Sequence, residues 1–285
     1  MREPMPIPAP LPRDSAGISI RSVTMRFGTQ GSDSDYLALR DVSLEVQRCE
    51  FVSLLGRSGC GKSTLLRIVA GLLAPTSGSV LIDGQPVTRP TRRVGFVFQS
   101  ATLLPWYSLL DNILLPHRIA GTLDRAARQR AGELLEITGL SGHQKKFPRE
   151  LSGGMQQRAS IARALVTSPD LLLMDEPFSA LDEFTRETLN DELLRIWSES
   201  RTTILFVTHN IAEAVYLSDR IAVMDSHPGR IRSILPSRVP RPRHAACRTG
   251  DAYYETITAV RRAFGTDDAE PASASASGPL ATAGV

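Results

Sequence analysis

One short unit limits the fold more than any other. It consists of an apolar run at residues 51–55, the loop Gly56-Arg-Ser-Gly-Cys-Gly-Lys-Ser-Thr64, and leucines at helical spacing after it. The loop fits G-x-x-x-x-G-K-[ST], a pattern whose glycines let the backbone turn sharply and aim N–H groups at phosphate oxygens. Its candidate phosphate contacts are Gly56, Arg57, Ser58, Gly59, Cys60, Gly61, Lys62, Ser63 and Thr64. Lys62 is expected to reach the β- and γ-phosphates, and Ser63 to ligate Mg²⁺. The helix that follows adds the positive end of its dipole. Leu65, Leu66, Val69, Leu72 and Leu73 are expected to form its buried face.

The rest of the chain alternates in the same manner. Residues 18–27 and 37–46 read as half-buried strands, joined by a Gly/Ser/Asp-rich loop at 28–35 that is expected to be mobile. Residues 79–83 and 94–98 read as further strands. From about 100 to 167 the pattern turns helical, with helices expected over 109–119 and 124–138 and a third running from after residue 154 to about 166. Residues 171–174 and 203–207 are continuous apolar runs, as buried parallel strands require. Between them, Leu189, Leu193, Ile196 and Trp197 mark the buried stripe of a helix. Residues 221–224 and 231–235 suggest a small terminal strand pair. The result is an α/β chain with a helical insertion. The proline-rich residues 1–16 and the Ala/Ser/Pro/Gly-rich residues after about 264 are expected to be disordered.

Two further segments carry chemistry. The apolar run 171–174 ends in Asp175 and Glu176. Asp175 is expected to hold Mg²⁺, directly or through water. Glu176 is placed to act as general base on the attacking water. The octapeptide Leu151-Ser-Gly-Gly-Met-Gln-Gln-Arg158 puts Ser152, Gly153 and Gly154 just before a helix. Serine is a good N-cap and the glycines expose N–H groups, which makes a second anion site at a helix start. The phosphate loop already surrounds one triphosphate. A second such site points to a nucleotide held by another subunit.

Composition removes several alternatives. The chain has 285 residues, 42% hydrophobic and 22% charged, with a formal net charge of +3. Such a charge demands no nucleic-acid partner, although the basic run Arg238, Arg241, Arg243 and Arg248 leaves a phosphate-backbone contact open. Three cysteines, Cys49, Cys60 and Cys247, have no metal spacing and no even disulfide set, which fits a reducing compartment. No secretory h-region is visible at the N-terminus, and apolar runs such as 68–74 are too short to span a membrane.

In their order these segments resemble the ATP-binding cassette (ABC) family, and the motifs in register cover roughly residues 18–240. The resemblance implies a P-loop NTPase core with an antiparallel β subdomain and a helical subdomain at about 100–167. The cassette is expected to span 17–245, followed by a C-terminal extension at 246–285. It also assigns roles that no spacing shows. Gln99 would contact Mg²⁺ and water, and His209 would bond the γ-phosphate and position Glu176. Phe27 would stack on adenine, although a plain core aromatic fits the same position. Asp182, in Ser179-Ala-Leu-Asp182, would join Ser152, Gly153 and Gly154 at the nucleotide of the opposite subunit. Finer matches at Arg57–Cys60, Leu103–Trp106, Phe184–Arg186 and Val239–Arg243 are similar to the nitrate, sulfonate and taurine importer ATPases.

That likeness implies an ATPase using ATP and Mg²⁺, paired with a second copy or a paralogous subunit. Its further partners would be transmembrane permease subunits, contacted near Leu103–Trp106, and indirectly a solute-binding protein. Trp106 serves equally well as a core anchor. The expected location is peripheral, on the cytoplasmic face of the inner membrane, with no nucleic acid involved. Rival readings are a soluble ABC ATPase acting on nucleic acid or ribosomes, and an exporter ATPase.

Overall fold

The structure, a computed structural model, describes residues 16–28, 35–179, 181–200 and 202–265. The segments expected to be disordered, 1–16 and beyond about 264, lie outside these apart from Ala16 and Gly265. Residues 29–34 of the loop expected to be mobile also lie outside.

Strands β1 (Ala16–Phe27) and β2 (Tyr36–Gln47) pair antiparallel, with Phe27 opposite Tyr36. In β2, Val42, Leu44 and Val46 are buried while Ser43, Glu45 and Gln47 are exposed, the period-two pattern of a sheet with one wet face. β3 (Phe51–Gly56) is buried throughout and enters the phosphate loop, which leads to α1 (Lys62–Val69). The helix is shorter than its leucines suggest. Gly71 turns out of it at φ 72°, where a Cβ would lie 2.5 Å from the Arg89 carbonyl carbon. Leu72 is therefore 52% exposed and not part of the buried face. β4 (Ser77–Ile82) returns along β1 and β5 (Gln85–Pro86) along β4, giving a four-stranded sheet of order β2-β1-β4-β5.

After β6 (Val94–Val97) come α2 (Leu109–Ile113), α3 (Leu115–Ala120), α4 (Arg125–Ile137) and α5 (Gly153–Leu165). The single helix expected over 109–119 is split at Leu114. Pro116 has no N–H to continue the ladder there. β7 (Leu171–Asp175), α6 (Glu183–Ser200), β8 (Thr203–Thr208), α7 (Ile211–Leu217), β9 (Arg220–Asp225), β10 (Arg230–Pro236) and α8 (Asp251–Ala263) complete the order. The second sheet runs β10-β9-β3-β8-β7-β6, parallel except for β9–β10. The expected terminal strand pair is thus an extension of the central sheet, with β9 lying parallel to β3.

Alternation along the central strands divides their side chains between two cores. Val52, Leu54, Leu171, Leu173, Leu205 and Val207 face α1 and the antiparallel sheet. Phe51, Leu55, Leu172, Met174, Ile204 and Phe206 face the layer of helices. Burial on both faces explains why these strands read as unbroken apolar runs.

Helix α8 is absent from the expectations above, which treated residues after 245 as an extension. Tyr253, Thr256 and Val260 are buried on one face, and Thr256 Oγ1 accepts from Arg238 N at 3.2 Å. Of the basic run, Arg238 is exposed, but the other three arginines are not a solvated stripe. Arg241 Nε donates to Asp219 at 2.6 Å, and its guanidinium lies 4.1 Å from the Trp197 ring centroid. Arg248 bonds Asp191 and covers Tyr216. Arg243 donates to the carbonyls of Tyr216 at 2.7 Å, Ser218 at 2.9 Å and Val239 at 3.0 Å. Its burial pushes the guanidinium down to about 10. Arg243→Leu orphans these carbonyls, and we expect a loss of about 3 kcal/mol in denaturant unfolding. A loss below about 0.5 kcal/mol would mean that water replaces the guanidinium without cost.

Candidate active site

Close contacts at Gly56 and Gly61 and left-handed backbone at Gly59 and Gly61 shape the phosphate loop. Gly59 and Gly61 adopt φ of 79° and 91°. A Cβ at Gly61 would lie 2.6 Å from Leu39 Cδ2, and one at Gly56 would lie 2.5 Å from Cys60 Sγ. Arg57, Ser58 and Gly59 are exposed. Cys60 is 1% exposed and belongs to the core, so only its backbone can face a phosphate. Gly61 caps α1, which places Ser63 and Thr64 in its first turn. Lys62 is buried. Its Nζ donates to the Gly56 and Arg57 carbonyls at 2.8 and 2.9 Å and lies 3.7 Å from Glu176 Oε1.

The strand register carries the other groups to the same edge. Asp175 ends β7 beside Val207 of β8, and Leu55 of β3 pairs with Thr208. Ser63 Oγ donates to Asp175 Oδ1 at 2.7 Å. Burial raises the Asp175 carboxyl above the usual range; the Ser63 hydrogen bond opposes this and the Glu176 charge adds to it. A hydroxyl and a carboxylate converging beside a phosphate loop are hard oxygen donors, the set that Mg²⁺ prefers. Among the described residues there is no cluster of three or more His, Cys, Asp or Glu for a metal.

Glu176 follows at φ 45°, a left-handed backbone uncommon outside glycine. Its N–H bonds the Val207 carbonyl at 3.0 Å, and its Oε2 lies 3.1 Å from His209 Nδ1. The His209 side chain is half exposed. Gln99 stands after β6, and its Nε2 donates to Ser179 Oγ at 3.1 Å, leaving the amide oxygen as the atom for a ligand. Ser179 Oγ in turn donates to the Glu176 carbonyl at 3.0 Å. Phe27, at 40% exposed, is not a core residue. Tyr36 lies opposite it, with its hydroxyl 3.5 Å from the Gly59 carbonyl.

Ser152, Gly153, Gly154 and Asp182 line a separate cavity of about 430 Å³ that includes no residue of the phosphate loop. Ser152 caps α5, accepting from Met155 N at 3.3 Å. Asp182 accepts from Thr185 N at 3.0 Å; hydrogen bonding from the Thr185 side chain first, and from its backbone second, holds the carboxyl below the usual range. A Cβ on Gly153 would meet nothing within 4 Å, and one on Gly154 only Thr185 at 3.4 Å. Neither glycine is needed for the fit of its own subunit.

Residues 39–179 match the ABC transporter family profile. The chain is 40% identical over 247 residues to the aliphatic sulfonates import ATP-binding protein SsuB of Bacillus cereus, covering 87% of this chain and 95% of that one. The chain belongs to the ABC transporter family. It is an ATP-binding subunit with the ATPase fold of that family, a mixed α/β core carrying an antiparallel sheet and a helical part. It is also 48% identical over 206 residues to an uncharacterized ABC transporter ATP-binding protein of Methanocaldococcus jannaschii, covering 72% of this chain and 77% of that one. Among solved structures, the ATP-binding cassette MJ0796, a dimer bound to ADP and Pi, aligns with TM-score 0.68 at 34% identity. It covers 77% of this chain and 98% of that one.

Several residues of this cassette's site carry no sequence signal of their own. Gln157 Nε2 reaches the Phe98 carbonyl at 3.4 Å, and Arg163 holds the Ala101 and Thr102 carbonyls at 2.9 Å. These bonds tie α5 to the chain on both sides of Gln99. Glu213, on the helix after His209, is 6% exposed. Thr208 Oγ1 donates to its Oε2, while its Oε1 is buried without a partner among the described residues. Burial raises the Glu213 carboxyl to about 7, against the Thr208 hydrogen bond. A raised acid stabilises the fold only while it is protonated. This contribution is complete below about 4.5 and fades as pH rises through about 7. Its full size is on the order of 3 kcal/mol. Glu213→Gln mimics the protonated form. Thermal melts should therefore match wild type at pH 5 and exceed it at pH 8. Equal melting temperatures at both pH values would show that Glu213 ionises without cost.

Proposed function

We propose that the chain energises a multi-subunit importer for a sulfonate or a related small solute such as nitrate or taurine, by binding and hydrolysing ATP between two cassettes. The observation that carries the two-cassette reading is the cavity at Ser152, Gly153, Gly154 and Asp182. It presents a capped helix start, an anion-binding geometry, through glycines that its own subunit does not require. The dimeric state of MJ0796 supports this reading. The import direction and solute class rest on likeness to SsuB.

In this mechanism the N–H groups of residues 56–64 and the α1 dipole hold the triphosphate. Lys62 turns from the loop carbonyls to the β- and γ-phosphates, and Phe27 stacks on adenine. Ser63, Asp175 and the Gln99 amide oxygen would hold Mg²⁺, which supplies charge neutralisation on the phosphates. Glu176 takes a proton from the attacking water. His209, 3.1 Å from it, aligns this carboxylate and bonds the γ-phosphate. Ser152, Gly153, Gly154 and Asp182 close the site from the second cassette.

No helix among the described residues is long and apolar enough to cross a membrane. The cassette would sit peripherally on the cytoplasmic face of the inner membrane, held by a permease. An apolar groove of about 770 Å³, with Phe96, Phe98, Leu115, Pro116 and Ile119 in its lining, fits a short permease helix. Leu103 packs on the core, and Leu104 is pinned by Asn112 at 2.7 Å. Trp106 is 68% exposed, so it serves as an interface residue rather than a core anchor. The permease would in turn receive solute from a binding protein. The nucleic-acid reading is left with Arg238 alone of its four arginines, because Arg241, Arg243 and Arg248 are committed within the fold.

Three substitutions test these roles. Glu176→Gln should lower kcat by about 10²–10⁴-fold and leave ATP-bound dimers on size exclusion; near wild-type turnover would overturn the base. Gly153→Asp should preserve ATP binding by the monomer and stop hydrolysis. Loss of monomer binding would place the octapeptide 151–158 on its own subunit's nucleotide. Trp106→Ala should leave ATP binding unchanged and cut copurification with the permease; undiminished copurification would move the interface elsewhere.

A further inference from the structure

Glu213 of α7 is a buried carboxyl that the mechanism above leaves idle. It braces the chain on both sides of His209. Its Oε2 accepts from Thr208 Oγ1, and that hydroxyl oxygen in turn accepts from Asn210 N at 3.0 Å. The Glu213 N–H donates to Asn210 Oδ1 at 3.1 Å. Thr208 ends β8 and is buried, whereas the side chain of His209, one residue on, is half exposed. Beyond its bond to Glu176 at 3.1 Å, the imidazole has no hydrogen-bond partner among the described residues. The direction of the ring is therefore set by how firmly Thr208 and Asn210 are held.

The segment after Glu176 is braced in a matching way from α6. Arg186 donates to the Leu181 carbonyl at 2.7 Å and to the Phe178 carbonyl at 3.4 Å. The two braced segments meet at the Glu176–His209 bond. Beside that bond lies a cavity of about 10 Å³ with Glu176, Ser179, Arg186, Thr208, His209 and Glu213 in its lining. Roughly 10–15 Å³ is the smallest space that admits a water, which also needs two to four polar partners. Glu213 offers one such partner. Its Oε1 is buried with no hydrogen bond among the described residues, whereas buried polar atoms are nearly always paired. Burial is the main cause of its raised carboxyl, opposed by the Thr208 bond. The Arg186 charge then lowers it and the Glu176 charge raises it, so three ionisable groups act on one another around the cavity.

We propose that Glu213 is a positioning residue for ATP hydrolysis: through Thr208, and through one water bound in this cavity, it holds His209 in place against Glu176. Such positioning rests on the roles proposed above for Glu176 and His209. Oε2 accepts from Thr208 whether or not the carboxyl is protonated, and Oε1 meets the water as donor when protonated and as acceptor when ionised. A glutamine amide keeps one acceptor and one donor at these places. A leucine keeps neither.

Steady-state ATP hydrolysis by the full-length chain tests this. Glu213→Leu and Thr208→Val should each lower kcat by about 10–100-fold while leaving the KM for ATP within about twofold. Glu213→Gln should recover most of the loss seen in Glu213→Leu. In a His209→Ala background, Glu213→Leu should cost less than about twofold more, because the side chain it positions is gone. If Glu213→Leu does not fold, Thr208→Val carries the same comparison, alone and with His209→Ala. A wild-type kcat in Glu213→Leu or Thr208→Val would overturn the proposal. So would an undiminished loss in the His209→Ala background, or a Glu213→Gln variant as slow as Glu213→Leu. If His209→Ala alone turned over at the wild-type rate, the role given to His209 would fail instead. A crystal structure should show a water within about 3.2 Å of Glu213 Oε1. Density that shows other buried waters and none here would overturn the water bridge.

Discussion

Everything at the candidate site depends on the parallel register of β3, β8 and β7. Leu55 lies opposite Thr208, and Val207 opposite Asp175. The three strands therefore end at one edge of the sheet. There the chain delivers a phosphate loop, two carboxylates and a histidine within hydrogen-bond reach. Shifting one strand by a residue would turn its apolar side chains to the wrong core and move the group at its end by about 3.3 Å. Burial of these strands on both faces gives the register its stiffness. The Glu176 N–H bond to Val207 extends it one residue beyond the ladder.

The two faces of that sheet take on different tasks. One supports the phosphate loop through α1 and the antiparallel sheet, where Leu39 and Ala38 press on Gly61. The other carries the helices, and through α5 it connects two distant surfaces. The N-terminus of α5 presents Ser152, Gly153 and Gly154, while Gln157 and Arg163 farther along hold the chain on either side of Gln99. On the proposed reading, a helix with one end at the Ser152 cavity and its flank on the apolar groove would be a short mechanical path between nucleotide and permease.

Much of this was legible in the residues. The loop motif, the apolar strands and the acidic strand end specify an α/β nucleotide site because each has a strict local requirement: glycines at positive φ, dry strands, charge at a strand terminus. The order of motifs sufficed for the family. Other features were hidden for equally physical reasons. Leu72 has helical spacing, but the helix stops because Gly71 packs against Arg89. The leucine-rich run at 109–119 hid a break that Pro116 imposes. Helix α8 has only three buried positions, too few to separate it from a polar tail, and the arginines before it resemble a solvated run until their carbonyl and ring partners are in place.

The sequence by itself determined the α/β core, the phosphate loop and the residue types available for hydrolysis, because these follow from local chain geometry and periodicity. Only the tertiary structure decided that Glu213 is buried beside Thr208 and shares a cavity with Glu176 and Arg186, and that Trp106 and Phe27 are exposed. Burial and charge proximity are set by residues far apart in the chain, and no local pattern encodes them.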